Sequence, residues 1–528
     1  MRSTFMGLET ARRGMFTQQS ALYVTGHNIA NANTPGFSRQ RINFEQTSPY
    51  PAASMNRPQI PGQMGTGVEA GSVQRIREGF LDLQYRVEAN KVGYYSSMSE
   101  SLTKMEEIMN EPSESGLHAT MEKFWNSLQD IASHTENTGA RDVAAASGQM
   151  VADTLNYYYN SLSRVQQDIG NEIGVKVKEI NALVSQIDQL NKQIASVEPN
   201  GYLPNDLYDE RDMYVDQLSQ LVNVKVTNVK PTEYGHAKDI AEGLYKIEIV
   251  GEDGKSFSTP AVLLDVTKED GLKPANKLEV YDTADATNED LELISGTITQ
   301  VKVGDVALDG INFSGELAGL VKSYGYQDSN GNVAGYYPDM LKKLDDFTTA
   351  FVNEFNAIHK QGFDLAGKAG VEFFVLDPAL GDNPAQQIKV NADILKDSSL
   401  IAAAAKENGG SGDNENAHKL ALIKTKSFGS YESTPPATMT SGNLDTYYSG
   451  VIGRLGVDSQ SAQKNAKNSL VLADSVDKSR QSVSAVSLDE EMTNMIKFQH
   501  AYNAAARNIT VVDEMLDKII NGMGVVGR

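Results

Sequence analysis

The sequence contains no cysteine, which removes thiol nucleophiles, disulfides and cysteine metal sites in one step. Positive charge is scarce: 47 lysines and arginines face 69 acidic residues, for a net charge of −22. Nucleic acid and anionic membrane surfaces would both repel such a chain, so neither is expected as a partner. No window approaches the ~20 consecutive apolar residues that span a bilayer. The opening stretch MRSTFMGLETARRGMF carries Arg2, Arg12 and Arg13 and no uninterrupted apolar core, unlike a Sec-type signal peptide. A protein with this start that leaves the cell takes another route. With 528 residues, 40% hydrophobic and 22% charged, the chain is long enough for two to four domains.

Catalytic signatures are absent too. The histidines at 27, 118, 134, 236, 359, 418 and 500 form no H-E-x-x-H or other metal-ligand spacing. GTGVEA (65–70) fits a dinucleotide pattern only superficially, because it follows a proline-rich stretch instead of a strand and reads as a turn. DSNGNVAG (328–335) has its glycine at the wrong place for a calcium loop and lacks the closing glutamate, so it reads as a hairpin turn. The pairs Glu106–Glu107, Asp345–Asp346 and Glu490–Glu491 are helical neighbours that do not face each other, and read as solvated faces. The single tryptophan, Trp125 in MEKFWNSLQDIA, reads as a core anchor. No catalytic, cofactor-binding or metal-binding residue is expected, and no enzyme.

What the chain does have is helical periodicity at both ends. Leu8, Met15, Leu22 and Ile29 recur by sevens, forming one apolar stripe over 5–30. NIANANTPGF (28–37) then stops the helix. Asn31 or Asn33 is expected to take the left-handed conformation of a helix end, Pro35 turns Thr34 away from helix, and Gly36 allows a sharp turn. At the other end Leu488, Met495, Tyr502, Ile509 and Leu516 recur by sevens, with Phe498, Ala505, Val512 and Ile519 as a second line. Two paired terminal helices leave much of such a face uncovered, and an uncovered apolar face implies a partner.

Between the ends, helical pattern runs from about 80 to 197 with breaks near Pro112 and Gly139. Leu155, Leu162 and Ile169 share one phase and Ile173, Ile180, Ile187 and Ile194 another, a stutter in a coiled-coil-like helix. From about Val224 short alternating runs separated by Gly, Asp and Asn predict strands. The expected fold is mainly α with an inserted β domain. Its parts are a terminal helical pair (1–58 and 484–528), a discontinuous helical bundle (59–226 and 336–483) and a β-rich insert (227–335).

SALYVTGHNIANANTPGFSRQ (20–40) resembles the N-terminal signature of the flagellar axial proteins, the rod, hook and hook-associated proteins. SVSLDEEMTNMIKFQHAYNAAARNITVVDEMLDKII (484–520) resembles their C-terminal counterpart. The interior stretches NDLYDERDMYVDQLSQLVNV (205–224), SGELAGLVKSYGY (314–326) and 337–374 resemble the hook-associated protein 1 family, as does GTGVEAGSVQRIREGFLDLQYRVEA (65–89). Phe37 stands where that family usually has tyrosine.

The resemblance implies a structural adaptor between hook and filament, outside the cell and exported unfolded by the flagellar type III apparatus. It implies a ring of identical subunits as partner, with the hook protein, a second junction protein leading to the filament, and a small helical export chaperone on the C-terminal segment. It also implies that Leu8, Met15, Leu22, Ile29, Leu488, Met495, Tyr502, Ile509 and Leu516 bury at the assembly interface, and that Asn28, Asn31, Asn33, Pro35 and Gly36 form the helix exit. A hook or distal rod protein shares both terminal motifs and is the nearest alternative. An axial scaffold carrying a cell-wall hydrolase or an adhesin-like insert is a more distant one.

Overall fold

A computed structural model of the chain describes residues 4–51, 53–55, 62–231, 234–266, 274–283, 294, 296–308, 310–407 and 412–522. Helix α1 (Thr4–Ala30) leads into an antiparallel pair, β1 (Gln40–Gln46) and β2 (Val68–Arg75), in which Gln40 lies opposite Arg75 and Gln46 opposite Val68. Four helices follow: α2 (Gly79–Met109), α3 (Leu117–Ser133), the 60-residue α4 (Thr138–Val197) and α5 (Asn205–Leu221). Asn137 caps α4, its side-chain oxygen accepting from the backbone N–H of Gly139 and Ala140.

The strand region holds β3 (Val224–Val229), β4 (Leu244–Val250), β5 (Ser256–Leu264), β6 (Leu278–Asp282), β7 (Ile298–Val303) and β8 (Val306–Ala307). After α6 (Glu316–Tyr324), β9 (Tyr326–Gln327) and β10 (Val333–Ala334) form a hairpin across the 328–332 turn. Strands β3–β4–β5 make one sheet, and β10–β9–β7–β6, with β8 on β7, another. The long α7 (Tyr336–Gln361) is followed by β11 (Phe374–Leu376), α8 (Pro384–Gln387), β12 (Ile388–Val390), α9 (Ala392–Lys396) and α10 (Glu415–Ala421). Two long helices, α11 (Leu444–Ser484) and α12 (Leu488–Gly522), end the described chain.

One core joins the helical body to the sheets, and α4 is its spine. Leu155, Leu162, Ile169, Ile173, Ile180, Ile187 and Ile194 are all buried, so both phases of the stutter face inward. Trp125 packs edge-on against Phe351 and beside Phe124, in an aromatic cluster with Phe355, Phe373 and Phe374. Two asparagines on α4 dock the sheets. Asn181 exchanges hydrogen bonds with the backbone N–H and carbonyl of Leu278 at 2.8 and 2.9 Å. Asn191 does the same for Tyr245 at 3.2 and 2.9 Å. The segment expected to be a β-rich insert also contains α6, whose buried Leu317, Leu320 and Val321 pack into the helical core. Its length of nine residues is too short for periodicity to stand out from the strands around it.

The two halves of the chain meet along α2 and α11, which run antiparallel. Ser459 donates to Glu106 at 2.7 Å, and Arg480, at the far end of α11, reaches Asp82 at the start of α2. Among the described residues, neither α1 nor α12 contributes a side chain to this core.

Candidate assembly site at the terminal helix pair

Helix α1 pairs with α12 in antiparallel order. A Cβ placed on Gly7 would lie 3.9 Å from Val512, and one on Gly14 would lie 4.0 Å from Ala505. One heptad further, Ala21 is fully buried, and another heptad on Asn28 is bonded to Glu491. The seam therefore runs along the small-residue line Gly7, Gly14, Ala21 and Asn28, where a Cβ at either glycine would meet α12 at ordinary contact distance. The line Phe498, Ala505 and Val512 opposes it, with Phe498 also meeting Phe44 of β1 edge-on.

Leu8, Met15, Leu22 and Ile29 flank this seam and are half-buried, as are Met495, Tyr502, Ile509 and Leu516. Leu488 is exposed at the root of α12. The rest of the pair stays bare: Phe5, Phe16 and Tyr23 on α1, and Met492, Ile496, Val511, Met515, Ile519 and Ile520 on α12. Most of these bare residues lie outside the sevenfold stripes, and their signal in the sequence is the four-residue spacing of 492–496 and 511–515–519.

The exit from α1 differs from the expectation in one respect. Neither Asn31 nor Asn33 is left-handed, since Asn110 is the only described non-glycine residue with positive φ. Asn31 instead ends the helix with its side chain, donating to the carbonyl of His27 at 3.1 Å and accepting from the Thr34 hydroxyl at 3.1 Å. Backbone turn bonds close the same end, the Asn31 N–H to the His27 carbonyl at 3.1 Å and the Thr34 N–H to the Asn31 carbonyl at 2.9 Å, so no left-handed residue is needed there. The sharp turn falls on Gly36, at φ +80°, beside Met213. Asn33 and Pro35 are exposed on the outside of the turn.

Asn28 does the most at this exit. It is buried, its Oδ1 accepts from the Gln40 N–H at 2.9 Å, and its Nδ2 donates to the Gln40 carbonyl at 2.8 Å and to Glu491 at 3.2 Å. Arg39 donates to Glu491 at 2.8 Å and to Glu490 at 2.5 Å, while its backbone N–H bonds the Ser484 carbonyl at 2.8 Å. Glu491 thus corrects the reading of 490–491 as a solvated face: Glu490 is exposed, but Glu491 is buried against the arginine and the asparagine. A charged residue enters such a place when its oxygens are all spoken for.

Below this root lies a buried ionic cluster that ties β2, α2, α5, β4 and α11 together. Arg75 donates to Asp209 at 2.6 Å and Asp212 at 3.0 Å, and also pairs with Glu242. Arg77 grips Asp82 with two bonds at 2.7 and 2.9 Å, and Arg86 bridges Asp216 and Asp212. Tyr245 donates to Asp212 at 2.8 Å beneath the Arg211 guanidinium, which stacks 3.4 Å from its ring centre. Burial alone would raise the Asp212 carboxyl, but Arg77, Arg75, Arg86 and Arg211 together hold it far below the usual carboxylate range. The cluster reaches the exit turn through the Ser38 N–H, which donates to Asp209 at 2.9 Å. It reaches α11 through Arg480, bonded to Asp216 at 2.5 Å.

Comparisons with known proteins agree with this architecture. The family model described as the flagellar hook-associated protein FlgK helical domain matches residues 102–374. Models of the flagella basal body rod protein and of the flagellar basal body rod FlgEFG protein C-terminal match 8–37 and 479–522. Flagellar hook-associated protein 1 of Bacillus subtilis is 45% identical over 539 residues, covering 100% of both chains. Its Escherichia coli namesake is 23% identical, covering 97% of this chain and 99% of its own. The solved flagellar hook junction protein FlgK from Burkholderia pseudomallei superposes with a TM-score of 0.54 at 16% identity, over 77% of this chain and 100% of its own, a shared fold. The chain belongs to the flagellar hook-associated protein 1 (FlgK) family, structural components of the flagellum and not enzymes.

Proposed function

We propose that the protein is the structural adaptor between hook and filament, and that its α1–α12 pair packs side by side with the pairs of neighbouring copies in a ring. The bare apolar faces of that pair carry the reading: Phe16 and Tyr23 on one helix, and Ile496, Met515 and Ile520 on the other, are more than half exposed. Burying a large apolar side chain fully contributes about 1.5–3 kcal/mol, so covering even half of these residues favours assembly strongly. That figure is an upper bound, because ordering the pair costs entropy.

In this reading the half-buried heptad residues, Leu8 to Ile29 and Met495 to Leu516, close the pair, and the bare residues face adjacent subunits. The Asn28, Asn31 and Gly36 turn sets the height at which the chain crosses from an inner tube to an outer layer. The hook protein lies on one side of the ring, with a second junction protein leading to the filament on the other. The chain reaches this extracellular site unfolded, through the flagellar type III apparatus, with a helical chaperone covering the apolar line of α12 beforehand. No helix among the described residues is long and apolar enough to cross a membrane.

The test separates seam from face. Ile496→Glu with Met515→Glu places charge on the bare face and is expected to block assembly while leaving the 80–480 body folded by circular dichroism. Met495→Glu with Leu22→Glu is expected to open the pair as well, read as faster hydrogen exchange over 5–30 and 488–522. Normal filaments on cells carrying the first double variant would sink the proposal.

A further inference from the structure

His118, Glu122 and Asp445 meet at the mouth of a small cleft between α3 and the first turn of α11. His118 and Glu122 are one helical turn apart on the same face of α3, and Asp445 comes from the other half of the chain. One ligand atom of each lies within 4.8 Å of the other two. Among the described residues, the His118 ring nitrogens stand 3.4 Å from Asp445 and 3.9 Å from Glu122 without making a hydrogen bond. Donor atoms about 2.1 Å from a tetrahedral ion lie roughly 3.4 Å apart, so modest side-chain rotations bring the three to one centre.

The frame around the trio is well packed. Leu117, Met121, Trp125, Phe347, Leu444 and Tyr448 line the cleft floor and are buried. Glu111 fixes the two helices against each other, accepting from the His118 backbone N–H at 2.9 Å and from the Tyr448 hydroxyl at 3.2 Å. An apolar floor lowers the local dielectric and strengthens attraction between two carboxylates and a dication. The opposing feature is Lys424, whose ammonium pairs with Glu122.

We propose that this trio is a site for a borderline divalent transition ion such as Zn2+, with one imidazole nitrogen, two carboxylates and an open position for water. Lys424 is its built-in competitor, so binding releases the lysine from Glu122. An ion held there ties α3 to the start of α11, and with them the two halves of the body. Spacing in the sequence hides the site, because its third ligand is distant along the chain.

Calorimetric titration of the chelator-stripped full-length protein with Zn2+ tests this. One saturable equivalent is expected, weakened at least tenfold by His118→Ala and by Asp445→Asn, and tightened several-fold by Lys424→Met. His118 is half-exposed, so its variant should keep the parent circular dichroism spectrum. Absence of saturable binding, binding indifferent to both His118→Ala and Asp445→Asn, or failure of Lys424→Met to tighten it would each overturn the proposal.

Discussion

Asn28 donates a hydrogen bond to Glu491 across 463 residues of sequence, and the bond is buried at the point where both terminal helices leave the body. With Arg39 on the same carboxylate, it ties the last turn of α1 and the strand that follows to the first turn of α12.

Breaking that bond from either side should therefore loosen both helices. Asn28→Ala strands the Gln40 backbone and part of Glu491, at a cost of about 1–3 kcal/mol per buried unsatisfied group. Hydrogen exchange is expected to rise over 25–45 and over 485–495 together. Faster exchange confined to the α1 side would show that Arg39 alone holds Glu491.

Gly14 is expected to tolerate one methyl group and no more. A Cβ there sits at ordinary contact distance from Ala505, and alanine gains roughly 0.5–1 kcal/mol of helix stability over glycine. Gly14→Ala should thus raise or preserve the order of the pair, whereas Gly14→Leu should force the helices apart and abolish assembly. Equal behaviour of the two variants in sedimentation would remove Gly14 from the seam.

Asp212→Asn keeps shape and removes the one charge that several arginines share. Losing one partner from a buried ionic cluster costs about 3–5 kcal/mol, so a lowered thermal midpoint is expected. The pH effect has a definite sign. The folded carboxyl is held far below its ordinary value, so its stabilisation is complete above about pH 4 and is lost as pH falls further. Parent and variant should converge in strong acid.

His359 and Asp345 act in opposite directions nearer neutrality. Burial pushes His359 down to about 4, with the Val371 carbonyl opposing and Arg141 adding to it. An unfolded histidine takes up its proton near pH 6.5, so the parent should lose stability, by ~3 kcal/mol, as pH drops from about 6.5 to about 4. His359→Asn should flatten that part of the profile. Burial pushes the half-buried Asp345 up to about 6, the Ala385 N–H opposing and Asp346 adding to it. Its ionisation therefore costs stability as pH rises through 6. Asp345→Asn is expected to stabilise by about 1 kcal/mol at pH 7–8, after discounting for solvent screening. That gain should vanish below about pH 4.

Long periodic elements were legible in the sequence because burial repeats along them. The two phases of α4 face inward over 40 residues from Leu155 to Ile194, and nothing in between contradicts them. The Gly7, Gly14, Ala21 and Asn28 seam was not legible, since counting apolar residues passes over glycine and asparagine and settles on the bulkier neighbours one position along. Arg75, Arg77, Arg86 and Asp212 were hidden for a different reason. Charged residues spread over three elements read as solvated surface until the fold brings them together. Glu491 was misread on the same ground.

The antiparallel seam that sets Gly7 opposite Val512 gives the polypeptide the topology of a stem with one large loop. Length added to the loop, for instance at the Asn330–Gly331 turn, leaves the register of the stem untouched. Length added at the outer ends of α1 or α12 lands on the stem tip. Labels for following this protein in a growing flagellum therefore belong on that turn, whereas cargo fused to the helices would sit at the tip of the stem.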